Sequence, residues 1–284
     1  MKVKLARSAG FCFGVKRAVD MVYAETEGDD KVYTYGEIIH NELVVRDLEN
    51  RGVRILHSPE ELAALKEGTV VLRSHGVPRD IYKLLEERPG IKLVDATCPF
   101  VLRIHEIVEK ESLEGKEIIV IGDASHPEVQ GIVSFSSGKV SVIASKDEAE
   151  AFETEPEADI CVVSQTTFNL NKFKELVEIL SEKGYSIHVA NTICSATMER
   201  QKEARLIASE VDAMIVIGSA ESSNTRKLFD ICAQICDNTQ LIQTLEDLNL
   251  ETTKSFTCVG ITAGASTPNN IIEEVQRHVR GTDI

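Results

Sequence analysis

Three cysteines stand where predicted strands end and predicted helices begin. The segments KLARSAGFC, IKLVDATC and YSIHVANTIC end at Cys12, Cys98 and Cys194, and a helix-like stretch follows each of them. A helix N-terminus favours the thiolate form of cysteine, which is the form that binds metal. Because the three cysteines occupy the same place in a repeated pattern, we expect them to ligate one metal centre together.

The spacing of these cysteines leaves the identity of the metal open. A structural zinc site takes a fourth protein ligand, which a nearby histidine could supply. Iron-sulfur clusters are held by cysteine thiolates, usually four for a 4Fe-4S cluster. Three thiolates suggest a cluster with one iron open to substrate, because catalytic metal sites keep one open position.

The other four cysteines are interpreted as small packing residues. Cys161 and Cys258 lie inside apolar strands, and Cys232 and Cys236 stand four residues apart on a predicted helix. An odd number of cysteines scattered along a chain of this size does not match the disulfide framework of a small secreted domain. We therefore expect reduced thiols.

Other polar residues lie just past the ends of predicted strands. Ligands of parallel α/β sheets bind beyond the carboxyl ends of the strands, so these residues are candidate binding groups. Glu128 follows one of them by two residues and is a candidate acid. The strand-end residues are His40 and His75 in the first third of the chain, His126 and Thr166 in the second, and Ser222, Ser223, Asn224 and Ser266 in the last.

Each of these residues also has a plainer interpretation. Ser223 and Ser266 could be simple helix N-caps, and the HPE segment that contains Glu128 could be an exposed loop. Four cations follow the cysteines on predicted helices and are interpreted as solvated or interdomain residues, not as ligands. They are Lys16, Arg17, Arg103 and Arg200.

The elements that must position these groups follow a three-fold repeat. Apolar runs such as EIIVIG alternate with amphipathic segments such as KFKELVEILSEK, which is typical of parallel strands with crossover helices. The repeat predicts three small parallel-sheet α/β domains, with the N-terminal strand completing the last one. The expected domains are 1–13 plus 195–284, 14–97 and 98–194.

Composition limits the possible partners. The chain has 284 residues, of which 43% are hydrophobic, and a net charge of −15. Such an acidic chain is unsuited to nonspecific binding of nucleic acid or a membrane surface, because both are anionic. Apolar runs fall short of the roughly 20 residues that span a bilayer. We therefore expect a cytoplasmic protein without a targeting peptide.

The ordered motifs resemble those of the 4-hydroxy-3-methylbut-2-enyl diphosphate reductase family (LytB, also called IspH). They run essentially from Met1 to the last helix, as GFCFGVKRA, IIHN, SHGV, DATCP, HPEVQG, SQTT, GSAESSN and GITAGASTP. The resemblance implies a pseudo-three-fold trefoil of α/β domains around one 4Fe-4S cluster with three cysteine ligands and an open fourth iron. It also implies the last step of the non-mevalonate isoprenoid pathway, in which two electrons and two protons convert the substrate into isopentenyl diphosphate, dimethylallyl diphosphate and water.

The resemblance also implies a role for each candidate residue. Cys12, Cys98 and Cys194 would ligate the cluster, Glu128 would supply the proton, and Thr166 would contact the substrate hydroxyl. His126 would lie near both the diphosphate and the proton path, and the electron donor would be a reduced ferredoxin or flavodoxin. The residues implied to hold the diphosphate are His40, His75, Ser222, Ser223, Asn224 and Ser266.

Two other classes of protein remain alternatives on the residues alone. The cysteines by themselves would serve an electron carrier or a cluster sensor, although such a protein needs neither an interior acid nor many donors for a diphosphate. A zinc hydrolase acting on a phosphate ester would use histidine and glutamate as ligand and base. A brown chromophore in anaerobically purified protein would separate iron from zinc.

Overall fold

The structure is a computed structural model that describes residues 1–249 and 256–281. Within those residues the strands form three sheets of four parallel strands, and helices lie between successive strands along the chain. Parallel strands require crossover connections, and these helices supply them. The prediction of an α/β protein with three small parallel sheets is confirmed.

The first sheet has the strand order β3-β2-β4-β5. Helix α1 (Phe13–Glu25) precedes it, and α2 (Glu42–Asn50), α3 (Pro59–Ala63) and α4 (Arg79–Glu86) connect its strands. In the central strand β4, Val70, Val71 and Leu72 are fully buried, as expected for a parallel strand covered on both faces. The strands are β2 (Val32–Tyr35), β3 (Arg54–Leu56), β4 (Gly68–Leu72) and β5 (Ile91–Asp95).

The second sheet repeats this order as β7-β6-β8-β9. Helix α5 (Pro99–Leu113) leads into it, and α6 (Pro127–Ser134), α7 (Lys146–Ala151) and α8 (Leu170–Glu182) connect its strands. The predicted apolar face of α8 is inside, because Phe173, Leu176 and Leu180 are buried. The strands are β6 (Glu117–Ile121), β7 (Val140–Ile143), β8 (Asp159–Ser164) and β9 (Ser186–Val189).

The third sheet has the order β1-β12-β10-β11 and includes the N-terminal strand. Leu5 of β1 (Lys2–Leu5) pairs with Ile261 of β12 (Cys258–Ala263), so β1 takes the edge position that β5 and β9 have in the other sheets. The other elements within the described residues are α9 (Ser195–Ala208), β10 (Ala213–Ile217), α10 (Ser223–Ala233), β11 (Thr239–Ile242), a 3-10 helix (Leu245–Asp247) and α11 (Asn269–Arg280).

The chain divides into two compact units. The first unit comprises Met1–Lys16, His40–Val44 and Ser195–Ile284, and the second comprises Arg17–Ile39 and Val45–Cys194. The first unit therefore contains the third sheet, and the second unit contains the other two. Within the described ranges, none of the helices has the length and apolar character needed to cross a membrane.

Candidate active site and cysteine ligands

The three predicted ligand cysteines take the same place relative to their sheets. Each follows the edge strand of a sheet, and its backbone N–H donates to a carbonyl oxygen two residues past the end of the neighbouring strand. The three cysteine loops are therefore structurally equivalent. The bonds run from Cys12 to Ala265 at 3.3 Å, from Cys98 to Ser74 at 2.9 Å and from Cys194 to Thr166 at 3.0 Å.

The surroundings of these thiols suit metal ligation. All three are reduced and half-buried, and a helix begins at the residue that follows each one. The backbone N–H of Val15 donates to Cys12 Sγ at 3.5 Å. Three half-buried cysteine sulfurs at helix N-termini are the type of ligand that holds an iron-sulfur cluster, so these residues fit such a cluster.

The remaining cysteines have different surroundings. Cys161, Cys232 and Cys236 are buried, and Cys258 is half-buried at the start of β12. Burial is the main cause that raises the pKa of Cys161 to about 11 and the pKa of Cys232 to about 12. Both thiols are thereby kept protonated, which agrees with a packing role.

Glu128 lies inside the second unit and is bonded to Thr166. The carboxyl group is in the first turn of α6, and the residue is only 1% exposed, so the alternative of an exposed loop is wrong. The Thr166 N–H donates to Glu128 Oε1 at 2.5 Å, and the Thr166 hydroxyl shares a hydrogen bond of 2.8 Å with Oε2. Two bonds to one residue fix the carboxyl group in a single orientation, with a hydroxyl beside it that can relay a proton.

His126 is tied to the same helix. It is the N-cap of α6, and its Nδ1 accepts from the Glu128 N–H at 3.1 Å. A neutral imidazole that accepts at Nδ1 carries its proton on Nε2. The ring of His75 contacts that of His126 edge-on, with centroids 5.4 Å apart. The structure therefore brings His75, His126, Glu128 and Thr166 together in the second unit.

The first unit collects the predicted serines, Asn224 and His40. Ser222 is the N-cap of α10, Ser223 Oγ accepts from Lys227 Nζ at 2.7 Å, and the Ser266 hydroxyl donates to the His40 carbonyl at 3.1 Å. The N-cap alternative is wrong for Ser223 and Ser266, because Ser222 and Pro268 are the N-caps of α10 and α11. These polar residues therefore share the first unit.

Asn224 holds a donor that nothing in the described chain satisfies. The residue is 5% exposed in the first turn of α10, and its Nδ2 has no hydrogen-bond partner among the residues that the structure describes. A buried amide donor without a partner in the described chain can donate to a bound ligand. At a helix N-terminus that ligand is most favourably an anion.

Glycines allow the loops around Asn224 to pack closely. A Cβ at Gly264 would lie 2.0 Å from Thr225 Oγ1, and one at Gly218 would lie 2.7 Å from the same atom. Gly218 also has a φ of +147°, which L side chains rarely adopt. The glycines of GSAESSN and GITAGAS therefore let the two loops close onto Thr225.

Two residues near the site were missed by the sequence analysis. Asn41 in the IIHN motif donates through Nδ2 to the Ser266 carbonyl at 2.9 Å and caps α2, and its position directly after His40 could have drawn attention to it. His105 is 3% exposed and stacks on Phe135 with centroids 4.1 Å apart. No pattern in the sequence distinguishes His105 from an ordinary helix residue.

His105 supports the loops that carry the histidines of the second unit. A Cβ added at Gly76, which follows His75, would lie 3.0 Å from His105 Cε1, and one added at Gly131 on α6 would lie 3.4 Å from His105 Nε2. Neither ring nitrogen has a hydrogen-bond partner in the described part of the chain. Burial lowers the pKa of His105 to about 4, against an opposing effect of the charge on Asp95. The ring is therefore neutral near pH 7.

The fold defines an α/β protein of three parallel sheets with one cysteine at the edge of each. A family model described as LytB protein matches residues 3–280. Because that match covers nearly the whole chain, the chain belongs to the LytB family, and the predicted family is confirmed. Members of this family are iron-sulfur enzymes.

Relatives named 4-hydroxy-3-methylbut-2-enyl diphosphate reductase cover almost the full length. The protein from Geotalea uraniireducens is 46% identical over 281 residues, covering 98% of this chain and 97% of that one. The protein from Caldanaerobacter subterraneus subsp. tengcongensis is 42% identical over 282 residues, covering 99% and 97%. Both names agree with the predicted enzyme class, a 4-hydroxy-3-methylbut-2-enyl diphosphate reductase.

Two solved structures share the fold. The E-1-hydroxy-2-methyl-but-2-enyl-4-diphosphate reductase from Plasmodium falciparum superposes with a TM-score of 0.92 at 26% identity, covering 98% of this chain and 87% of that one. A structure of (E)-4-hydroxy-3-methyl-but-2-enyl diphosphate reductase, described as the terminal enzyme of the non-mevalonate pathway, gives 0.71 at 40% identity, covering 99% and 100%.

Proposed function

We propose that this protein reduces 4-hydroxy-3-methylbut-2-enyl diphosphate to isopentenyl and dimethylallyl diphosphates, as the last step of the non-mevalonate pathway. The substrate gains two electrons and two protons, loses its hydroxyl group as water, and keeps its diphosphate. The observation that carries the proposal is the equivalent placement of three half-buried thiols, one at the edge of each sheet. The names of the full-length relatives support it.

Cys12, Cys98 and Cys194 are the proposed ligands of one 4Fe-4S cluster with an open fourth iron. When bound, such a cluster supplies electrons and a Lewis acid that weakens the C–O bond of an allylic alcohol. The electrons come from a small redox protein such as a ferredoxin or flavodoxin. The proposed location is the cytoplasm, because all seven cysteines are free thiols. Nucleic acid and membranes are not proposed as partners, because the net charge is −15.

Glu128 and Thr166 are the proposed route for the proton that leaves with the hydroxyl group. Glu128 is buried, and its Oε2 is 2.8 Å from the Thr166 hydroxyl, which is within proton-transfer reach. Thr166 contacts the substrate hydroxyl in this scheme. His126 accepts from the Glu128 backbone N–H and in this scheme lies near both the diphosphate and the proton path.

The diphosphate is proposed to bind six side chains. A diphosphate needs a dense array of donors, and in an acidic chain the array must be local. The unsatisfied Nδ2 of Asn224 and the N-terminus of α10 supply donors in the first unit. The six are His40, His75, Ser222, Ser223, Asn224 and Ser266, and the proposed domains are 1–13 plus 195–284, 14–97 and 98–194.

An anaerobic preparation tests this function directly. We expect a brown protein that consumes the hydroxylated diphosphate when a chemical reductant is supplied and forms both isoprenoid diphosphates. A colourless protein that contains zinc and hydrolyses a phosphate ester would support the hydrolase instead. A brown protein without reductase activity would support an electron carrier or a cluster sensor.

A further inference from the structure

Arg17 holds the backbone that leads into Cys98. It lies on α1, five residues after Cys12, and is half-buried. Its Nη1 donates to the Thr97 carbonyl at 3.1 Å, and its Nη2 donates to the Asp95 carbonyl at 3.2 Å. The Thr97 carbonyl belongs to the peptide group whose N–H is that of Cys98, and this N–H donates to Ser74 at 2.9 Å. The peptide before Cys98 is therefore held at both ends.

Arg200 binds the backbone that leads into Cys12 through one carbonyl oxygen. It lies on α9, six residues after Cys194, and is 4% exposed, which excludes the solvated half of its interpretation as a solvated or interdomain residue. Its Nη2 donates to the Gly10 carbonyl, and its Nη1 donates to the Ala196 carbonyl at 3.3 Å. A buried guanidinium requires such partners, because leaving its donors unpaired inside the protein is costly.

Glu203 completes the attachment of this segment one turn further along α9. Its Oε1 accepts from the Arg7 N–H at 2.8 Å, and its Oε2 accepts from the N–H and the hydroxyl of Ser8 at 2.9 and 2.5 Å. Gly10 has a φ of +96°, and a Cβ there would lie 2.5 Å from Asn269 Oδ1. The loop before Cys12 therefore has little freedom.

These two contacts are two of the three steps that a cyclic pattern among the cysteine loops would need. An arginine on the helix after Cys12 binds carbonyls before Cys98, and an arginine on the helix after Cys194 binds a carbonyl before Cys12. The third place is different. Arg103, five residues after Cys98, is exposed and makes neither a hydrogen bond nor an ion pair within residues 1–249 and 256–281.

We propose that Arg17 and Arg200 are positioning residues, which fix the loop of one cluster ligand to the helix that follows another. The guanidinium fork suits this role, because it binds carbonyl oxygens along two directions and stays charged. Groups that orient a metal ligand act like a second shell and hold the ligand where the metal needs it. The proposal rests on the proposed function only in taking the three cysteines as ligands.

Hydrogen–deuterium exchange of the full-length protein, purified with its cluster, tests this assignment. We expect Arg17→Gln to speed exchange in residues 95–98 roughly tenfold and to leave residues 7–12 unchanged, because one charge-assisted attachment is lost. Arg200→Gln should do the reverse. Arg103→Gln is the matched control and should change neither segment.

A second readout separates positioning from general stability. The EPR signal of the reduced cluster should shift in Arg17→Gln and Arg200→Gln, but not in Arg103→Gln. In Arg17→Lys, the slow hydrogen–deuterium exchange of residues 95–98 should be partly restored. Unchanged exchange at both loops, or faster exchange in the central strands β6 and β10 as well, would overturn the proposal. Reductase activity measured on the unsubstituted protein decides separately whether the proposed function holds, since the exchange pattern does not depend on that activity.

Discussion

The polar groups around Glu128 and those around Asn224 differ in where their hydrogen bonds go. In the second unit both Glu128 oxygens are bonded to Thr166, and His126 Nδ1 accepts from the Glu128 backbone. In the first unit the Nδ2 of buried Asn224 has no partner within the described ranges. In the proposed function, the Glu128 group is already assembled as a proton donor before substrate arrives, and the Asn224 group is completed by the ligand.

Substitution of Glu128 should have the largest effect on turnover, because it should slow the chemical step and leave substrate binding near normal. Glu128→Gln keeps the size of the side chain but cannot supply an acidic proton, so we expect turnover to fall by roughly 10² to 10⁴. Substrate affinity and cluster content should stay near normal. Turnover, affinity and iron are measured on one preparation, so that a chemical defect is distinguished from a folding one.

Glu106→Gln is the control for this variant, because Glu106 is exposed on α5. It should retain full turnover. If Glu128→Gln also turns over normally with an intact cluster, Glu128 is not the proton source, and His126 or the substrate's own diphosphate becomes the candidate.

Lowering the pH should reduce the free energy of unfolding, because buried His105 in the second unit is kept neutral. Its pKa is about 4 in the folded protein against 6.5 for an ordinary histidine, so the unfolded chain binds the proton first as pH falls. Stability should be unaffected above about pH 7 and should drop by roughly 2 to 3 kcal/mol between pH 6.5 and pH 4.5.

His105→Phe is the matched variant for this effect. Phenylalanine can stack on Phe135 and carries no titratable group, so this part of the pH dependence should disappear. Urea unfolding at the two pH values measures the difference. An equal loss of stability in the variant would show that other groups carry the effect.

Asn224 should act on substrate binding. We expect Asn224→Ala to weaken binding of the substrate about ten- to a hundredfold, the usual effect of losing one buried charge-assisted hydrogen bond. Its effect on turnover at saturating substrate should be smaller than that of Glu128→Gln. Asn171→Ala, on the exposed start of α8, is the control. Unchanged affinity in Asn224→Ala would remove the contrast between the two regions.

The sequence predicted the parts of this molecule that repeat. The three parallel sheets follow from the alternation of apolar runs and amphipathic segments, which reports the period of each element. The grouping of Glu128 with Thr166 follows from their places at neighbouring strand ends, because the carboxyl ends of parallel strands lie at one edge of a sheet.

The contacts between elements could not be predicted in this way. Arg200 and Arg103 occupy similar positions after a cysteine, yet Arg200 is buried and Arg103 is exposed. Periodicity assigns a residue to a helix, but the partner of a long polar side chain depends on which loop packs beside it. For the same reason, nothing in the sequence showed that His105 lies beneath the loop of His75.

Iron and acid-labile sulfide, counted in anaerobically purified protein, test the central claim most directly. We predict about four irons and four sulfides per chain in the unsubstituted protein and in Cys161→Ser, because Cys161 is a buried packing residue. Cys12→Ser, Cys98→Ser and Cys194→Ser should each lose the cluster while keeping the same far-UV circular dichroism. A full 4Fe-4S complement in Cys98→Ser, or zinc in place of iron in the unsubstituted protein, would contradict the account.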